Sequence, residues 1–271
     1  MPSIRVRPSA ARGSANHGWL QSKFTFSFAD YCASRIALFG MRRERRSPSR
    51  PPPDDPAFES FGCLRVLNDD TVAAGGGFPT HSHRDAEIWS YVLAGAIKHK
   101  DSMGHEETLP RGAVQFTSAG SGISHSEFNA DASRGGAPLR FLQIWAMPEK
   151  RGLKPAYQTG SWSDAEKTDT LLPIIEPAAS RAPGAKTLGI NNGLNMHVSI
   201  LSGGARVALA LTPARKAYIH IPILPGAAGL DVSAPGAAAA RLAPGDGAFV
   251  EGVAGELSFV GVGGAADKTC V

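Results

Sequence analysis

The sequence is poor in cysteine and in aromatic residues, and it has no long apolar run. Of its 271 residues only 3 are cysteine, and Phe, Trp and Tyr together make up 7%. No segment approaches the ~18 uninterrupted apolar residues that a membrane-spanning helix needs. An odd number of scattered cysteines does not fit a disulfide framework and is typical of a reducing compartment; they are Cys32, Cys63 and Cys270.

The first residues lack the apolar stretch of a secretory signal. Residues 1–19 contain no run of apolar residues. Together with the cysteine content, this predicts an intracellular protein, cytoplasmic or nuclear, without a membrane partner.

Glycine and proline are abundant, and they limit the fold class. The chain has 31 Gly and 20 Pro, and breakers at that density exclude a long-helix or coiled-coil protein. A hydrophobic content of 42% is enough to build a core, which argues against a disordered chain.

The excess positive charge is confined to one segment. The chain carries a formal net charge of +4, and residues 42–50 alone account for +4, with Arg42, Arg43, Arg45, Arg46 and Arg50 against Glu44. Such a run is either a nuclear-localisation or nucleic-acid patch, or a solvated Pro-rich insertion that lacks the residues to fold. Because the rest of the chain is near neutral, we expect no direct binding of nucleic acid.

Short strand-like segments recur along the chain, separated by Gly- and Pro-rich turns. They lie at 63–68, 88–93, 96–100, 113–117 and 139–146, and again at 196–201, 205–211, 217–221, 229–233, 247–250 and 257–260. This pattern is typical of an all-β sandwich or barrel. Residues 148–184 lack this alternation of strand-like segments and turns, which indicates a domain junction. Residues 234–243 are Ala-rich, which predicts a loop. We therefore expect two β domains in tandem and little helix.

Two pairs of metal-ligating residues stand at strand spacing. His81 and His83 are two residues apart, as are His125 and Glu127, and residues two apart on a strand point to one face. If the two strands face each other across a barrel, three imidazoles and one carboxylate converge. That set suits Fe(II), Mn, Ni or Cu with open coordination positions, and structural zinc fits less well because its sites usually contain cysteine. The competing interpretation is an incidental surface pair.

Other polar residues near these pairs have weaker signals. Glu87 follows His83 by four residues and is a candidate hydrogen-bond partner of a ligand, or a member of a structural salt bridge. Gln115 either lines the cavity or is an ordinary strand residue. We expect His99 and His105 to lie on or next to a turn and not to bind metal. A structural role is expected for His17, His197 and His220, and Cys63 is expected to be an inert core thiol.

Three motifs resemble those of the pirin family, whose members are bicupins of the cupin superfamily. The motifs are GFPTHSHRDAEIWSYVL at 77–93, HKDSMG at 99–104 and SAGSGISHSEFN at 118–129. Residues 17–20 and 24–31 resemble the family's N-terminal strand, and 142–149 resemble its domain-closing segment. The resemblance is strong over 14–32 and 54–158 and loose over 190–265.

The resemblance implies a site, a metal and an activity. In pirins three histidines and one glutamate hold the metal, and the motif places these four ligands at His81, His83, His125 and Glu127. The family metal is usually Fe(II), although Mn, Ni, Cu and Zn suit the same ligands. The resemblance implies two cupin-like β-barrel or β-sandwich domains: an N-terminal arm at 1–13, a metal-binding domain at 14–150 and a metal-free domain at 151–271. We expect one metal per chain, because the second domain has no His-x-His pair.

The sequence departs from the family pattern in two further places. Residues 33–53 look inserted and are either a functional basic, Pro-rich loop or a gene-model artefact. Residues 265–271 lack the acidic and apolar closing segment expected in the family.

Two functions follow from the resemblance. Several pirins resemble quercetinases, which cleave flavonols with dioxygen and release carbon monoxide. Phe116, Ile123, Phe128 and Trp89 either form an apolar wall for a flat aromatic substrate or are simply core residues. Animal members are nuclear, iron-dependent transcription cofactors, and the Arg-rich insertion would suit an iron- or redox-sensing module that binds a transcription factor. We favour the dioxygenase, since a three-His, one-Glu site with open positions serves small molecules.

Overall fold

The structure, a computed structural model, describes residues 1–26, 58, 60–263 and 268–270, and nearly all regular secondary structure in these parts is β-strand. This confirms the all-β prediction. The residues form two compact units: an N-terminal unit of Gly13–Ser161 with Glu176–Leu194, and a C-terminal unit of Met1–Arg12, Trp162–Ile175 and Asn195–Val271. None of the described helices is long and apolar enough to cross a membrane.

The two units are not contiguous in sequence, which differs from the predicted domains at 14–150 and 151–271. The first residues are not a separate arm, because β1 (Ser3–Arg7) pairs with β21 (Gly247–Glu251) of the C-terminal unit. Residues Glu176–Leu194 belong to the N-terminal unit, where Asn191 is hydrogen-bonded to the buried Glu87.

The N-terminal unit consists of two antiparallel sheets and one further short strand. Seven strands form the larger sheet in the order β12-β9-β6-β11-β4-β3-β2, and four form the smaller one in the order β5-β10-β7-β8. The strands are β2 (Gly13–Asn16), β3 (Leu20–Phe26), β4 (Leu64–Val72), β5 (Gly77–His83), β6 (Glu87–Ala94), β7 (Ala96–Asp101), β8 (Glu106–Pro110), β9 (Ala113–Ser118), β10 (Ile123–Asn129), β11 (Leu139–Ala146), β12 (Ala156–Ser161) and β14 (Leu188–Ile190).

Apolar side chains from both sheets of this unit pack into one core. Val92 and Phe141 of the larger sheet pack with Phe78 and Ile97 of the smaller one, and all four are buried. A second apolar cluster contains Ile88 and Trp145.

The larger sheet also carries a row of buried polar residues. Residues directly opposite on antiparallel strands share a face, and Ser90 of β6 lies opposite Gln143 of β11 and Gln115 of β9. A row of buried polar residues therefore lies on the same face of the larger sheet as the apolar residues Val92, Phe141, Ile88 and Trp145.

The C-terminal unit has its own core of buried aliphatic residues and Phe259. Its sheets have the orders β1-β21-β18, β17-β22-β19-β20 and β16-β23, and β15 pairs with the first part of β13. The strands are the first part of β13 (Leu172–Pro177), whose last two residues belong to the N-terminal unit, and β15 (Met196–Val198), β16 (Ile200–Ser202), β17 (Arg206–Leu211), β18 (Ala217–His220), β19 (Leu230–Ser233), β20 (Ala240–Leu242), β22 (Gly255–Gly261) and β23 (Lys268–Cys270).

Two of the boundaries between the two units fall after Ser161 and after Ile175, inside the predicted junction at 148–184. The junction contains β12, β13 and the short helix α1 (Asp164–Lys167), which a Ser163–Glu166 capping box begins.

Two predictions on secondary structure were wrong. The Ala-rich loop at 234–243 ends in β20, because the buried Leu242 pairs opposite Leu230. Cys63 lies in a turn before β4 and is half-buried, so it is not a core strand residue. The predicted insertion at 33–53, Cys32 and residues 265–267 lie outside the described residues.

Candidate metal centre

His81 and His83 lie near the end of β5, which is an edge strand of the smaller sheet. The strand alternates, so both imidazoles share one face while Ser82 between them is exposed. Gly77 at the start of β5 is required by close packing, because a Cβ there would lie 2.4 Å from the Phe128 ring. Both histidines are half-buried, and the Nε2 atom of each is buried.

His125 and Glu127 lie on β10, which pairs directly with β5. His125 is opposite His81, and the register shifts by one residue between His125 and Glu127. The two strands are therefore hydrogen-bonded neighbours and do not meet the condition, considered from the sequence, of facing each other across a barrel. Convergence still occurs, because directly opposed residues on neighbouring strands point to the same side of a sheet.

Three histidines form a cluster that can hold a metal ion. The candidate ligand nitrogens of His81, His83 and His125 all lie within 4.8 Å of one another, and their ring centroids are 4.6 to 4.8 Å apart. The Nδ1 atom of His81 lies 2.8 Å from the Pro79 carbonyl oxygen. Because a carbonyl only accepts, Nδ1 carries the proton and Nε2 is left as the metal-binding nitrogen of the neutral ring.

Glu127 lies next to this cluster in the strand but is not one of its three members. Its carboxylate is buried, and Oε1 accepts a hydrogen bond of 2.9 Å from the Ser90 hydroxyl. Oε2 is also buried and has no hydrogen-bond partner among the described residues. A buried carboxylate oxygen without a partner is costly, and a cation bound beside it would remove that cost. The donor set therefore fits a divalent metal.

A second group of side chains packs against the cluster. It includes Tyr157, which was not identified as a candidate from the sequence. His99 is fully buried inside β7, with its ring edge-on to His125 at 5.5 Å. Its Nε2 lies 3.4 Å from Oδ2 of Asp101, and Nδ1 of His105 lies 2.9 Å from the same oxygen. Both rings stack with Tyr157 of β12, at 4.7 and 4.5 Å. His99 is thus in a strand rather than next to a turn, whereas His105 directly precedes β8.

The hydroxyl of Tyr157 is buried and has no hydrogen-bond partner within the described parts of the chain. Burial, followed by the negative charges of Glu107, Asp101 and Glu127, raises the pKa of Tyr157 well above its usual value. The hydroxyl therefore remains protonated at neutral pH and can donate a hydrogen bond. No pattern marks this residue in the sequence, because β12 lies in a segment without clear alternation.

Asp101 is buried at the turn between β7 and β8 and organises that turn. Burial alone would raise its pKa, but hydrogen bonds from His105 and His99 and from the Met103 amide lower it overall. Oδ1 of Asp101 accepts from the backbone amides of Met103 and His105 at 2.8 and 3.0 Å. This carboxylate holds His105 against Tyr157.

The predicted apolar wall for a flat ligand was largely wrong. Trp89 and Phe116 stack on each other at 5.8 Å, but they neighbour Ser90 and Gln115 in sequence and so lie on the opposite sheet face from the polar row. Phe128 also points away from the ligand face and is 36% exposed. Ile123 shares the face of His125, and Trp145 packs edge-on against His83 at 4.7 Å.

Glu87 does not share the ligand face, because the strand does not continue beyond His83. Asp85 has φ of 52° and redirects the chain before Glu87 begins β6. The buried carboxylate accepts hydrogen bonds from Ser118 at 2.7 Å and from the side chain of Asn191 at 3.2 Å. Among the described residues, Glu87 is therefore neither a hydrogen-bond partner of a candidate metal ligand nor part of a salt bridge. Its carboxylate anchors the segment that contains Asn191.

The remaining candidates lie outside the cluster. Gln115 is fully buried and donates to Thr117 at 2.7 Å. In the C-terminal unit, His197 is half-buried, which lowers its pKa, and His220 is buried. His17 is half-buried next to the turn before β3. The one group of three or more potential ligands in the described chain is that of the N-terminal unit.

Comparison with known proteins identifies the family of this chain. The sequence model of the pirin family matches residues 5–146, about half of the chain. The chain belongs to the pirin family. A pirin-like protein of Caulobacter vibrioides is 32% identical over 216 residues, which is 80% of this chain and 81% of that protein. Quercetin 2,3-dioxygenase of Escherichia coli strain K12 is 44% identical over 155 residues, 57% of this chain.

That alignment covers 56% of the Escherichia coli enzyme, so the chain matches a little over half of that relative's length. Similarity at the level of structure extends further. The crystal structure of the Escherichia coli protein YhhW has a TM-score of 0.71 and 30% identity, covering 96% of this chain and 98% of that one. The bacterial pirin YhhW has also been crystallised in complex with nickel(II), with a TM-score of 0.70.

The described residues place His81, His83 and His125 together on two paired strands. A quercetin 2,3-dioxygenase from Acinetobacter baumannii shares the fold at a TM-score of 0.62 and 18% identity. This pirin therefore has the architecture of two cupin-like β domains, and its three-histidine cluster lies in the N-terminal one.

Proposed function

We propose that this pirin is a metal-dependent dioxygenase that cleaves a flavonol-like substrate with dioxygen, as a quercetin 2,3-dioxygenase does. The observation that carries the proposal is the three-histidine cluster beside Glu127, whose Oε2 is buried and has no partner among the described residues. A relative 44% identical over 155 residues is named quercetin 2,3-dioxygenase, which supports this activity.

His81, His83, His125 and Glu127 would hold one Fe(II) per chain. Three neutral imidazoles and one carboxylate leave such a site with a formal charge of +1, which suits an anionic substrate oxygen. Bound Fe(II) would supply Lewis acidity toward that oxygen and a path for electron transfer to dioxygen. Nickel(II) bound to the related YhhW supports a divalent metal here, and Mn, Ni, Cu or Zn would also suit these ligands.

The protein side chains around the cluster would bind and orient the substrate. Tyr157 has a protonated hydroxyl and its ring is fixed by His99 and His105, so it can donate a hydrogen bond to a substrate oxygen. Trp145, edge-on to His83, supplies an apolar surface beside the ligands. A small aromatic compound that carries several oxygen atoms matches both groups.

Dioxygen uptake with quercetin tests the proposal. The protein is stripped of metal, loaded anaerobically with Fe(II), assayed for iron and mixed with quercetin and dioxygen. Wild type should hold one iron per chain and consume dioxygen, whereas His83→Ala and Glu127→Ala should lose at least about 100-fold of the rate. The control is His197→Ala, since that histidine lies in the C-terminal unit. Iron binding without dioxygen uptake would contradict the activity, and no iron in wild type would contradict the site.

A further inference from the structure

The two oxygens of the Glu127 carboxylate have different surroundings. Oε1 accepts the Ser90 hydroxyl at 2.9 Å, whereas Oε2 has no hydrogen-bond partner among the described residues. Both side chains are buried, with Glu127 1% and Ser90 0% exposed. The difference between the oxygens is therefore set by protein groups rather than by solvent.

Ser90 is held in place by the larger sheet. It lies in the middle of β6, with strands paired on both sides, opposite Gln143 of β11 and Gln115 of β9. Nε2 of Gln143 lies 3.3 Å from the Ser90 oxygen and donates to it. A serine hydroxyl has one proton, and with Gln143 donating to its oxygen that proton is directed to Glu127. The contact joins the two sheets of the N-terminal unit.

We infer that Ser90 is a positioning residue for the metal ligand Glu127. By occupying Oε1, it leaves Oε2 as the only carboxylate oxygen for the metal, so that Glu127 binds through one oxygen. A carboxylate that bound through both oxygens would fill one more coordination position. Ser90 thus preserves that position for substrate or dioxygen. This inference rests on the proposed metal centre.

Metal binding to the full-length, metal-free protein tests the inference without any activity assay. Ni(II) affinity is measured by competition with a chelator, and Co(II) is added separately to record the visible ligand-field spectrum. Hydrogen-bond partners of metal ligands typically contribute about 10- to 100-fold to metal affinity. Ser90→Ala should therefore weaken Ni(II) binding by about that factor and change the Co(II) spectrum, because the carboxylate is released to bind through a different set of oxygens.

Ser118→Ala is a matched control in the same sheet. Ser118 is also buried and also donates to a buried glutamate, Glu87, at 2.7 Å, but that carboxylate lies outside the metal cluster. The control should bind Ni(II) within about twofold of wild type and keep its Co(II) spectrum. Circular dichroism and thermal unfolding of the metal-free variants show that each is folded.

The outcomes separate the inference from the proposed function. If wild type binds neither ion, the metal centre and the role of Ser90 are both overturned. If wild type binds but folded Ser90→Ala has the affinity or the spectrum of Ser118→Ala, the inference alone is overturned. Lower affinity together with a changed spectrum, found in Ser90→Ala and not in Ser118→Ala, supports it.

Discussion

At the scale of single residues, Tyr157 is the side chain beside the centre whose role is open to a direct test. Its buried hydroxyl has no hydrogen-bond partner within the described parts of the chain, although its ring stacks with two histidines. A buried polar group without a partner costs about 1–3 kcal/mol, which a substrate oxygen would offset on binding.

Tyr157→Phe removes that hydroxyl and keeps the ring. Because a typical hydrogen bond contributes about 1 kcal/mol, we expect the KM for quercetin to rise about fivefold, with iron content unchanged. Steady-state dioxygen uptake over a range of quercetin concentrations measures this. A variant with unchanged KM and kcat would show that the hydroxyl does not contact the substrate.

The candidate ligands could be identified from the sequence, but their surroundings could not. His-x-His and His-x-Glu spacing identifies candidate ligands on a shared face because strand alternation is a local property. Ser90 and Tyr157 carry no such signal, since their positions depend on which strands pair and in which register. Glu87 was misjudged because Asp85 ends the alternation that placed it on the ligand face.

At the scale of elements, the turn before β10 positions the second ligand strand. Gly120 has φ of 45°, and a Cβ there would lie 2.0 Å from the backbone oxygen of Leu153. Its carbonyl accepts from the Asp85 amide at 2.9 Å, so the turns that follow β5 and precede β10 are joined.

Gly120→Ala should therefore destabilise the protein by more than about 3 kcal/mol, because it adds a clash with backbone to an unfavourable φ. The matched variant is Gly104→Ala, where φ is 96° and no atom lies within 4 Å of an added Cβ. That variant should lose only about 1–2 kcal/mol. Urea unfolding of the metal-free proteins compares the two, and equal losses would refute the role of the close contact.

Central strands were predicted from the sequence better than edge strands, and the reason is physical. Strands such as β6 and β11 are buried in the middle of the larger sheet, and their runs of apolar residues stand out. β12 and β20 are edge strands of their sheets, β12 with no buried residue and β20 with one. An edge strand is held by backbone pairing more than by apolar side chains, so its sequence resembles a loop.

At the scale of the whole molecule, metal should stabilise one of the two units. The cluster and Glu127 all lie in the N-terminal unit. A ligand present at 100 times its Kd stabilises the folded state by about 2.7 kcal/mol. For a unit of this size that corresponds to a rise in Tm of roughly 5–10 °C.

Differential scanning calorimetry with and without Ni(II) measures this shift. We expect the metal to raise the Tm of wild type and to leave His83→Ala unchanged, with the effect reversed by a chelator. An equal shift in both proteins would indicate that the metal binds elsewhere.

Release of carbon monoxide during quercetin consumption tests the central claim most directly. The Fe(II)-loaded protein should release one carbon monoxide for each quercetin consumed, since the proposed cleavage expels one ring carbon in that form, and His83→Ala should release none above the buffer. Quercetin loss without carbon monoxide, or equal release by His83→Ala, would contradict the assignment of a quercetinase-like reaction to this three-histidine, one-glutamate centre.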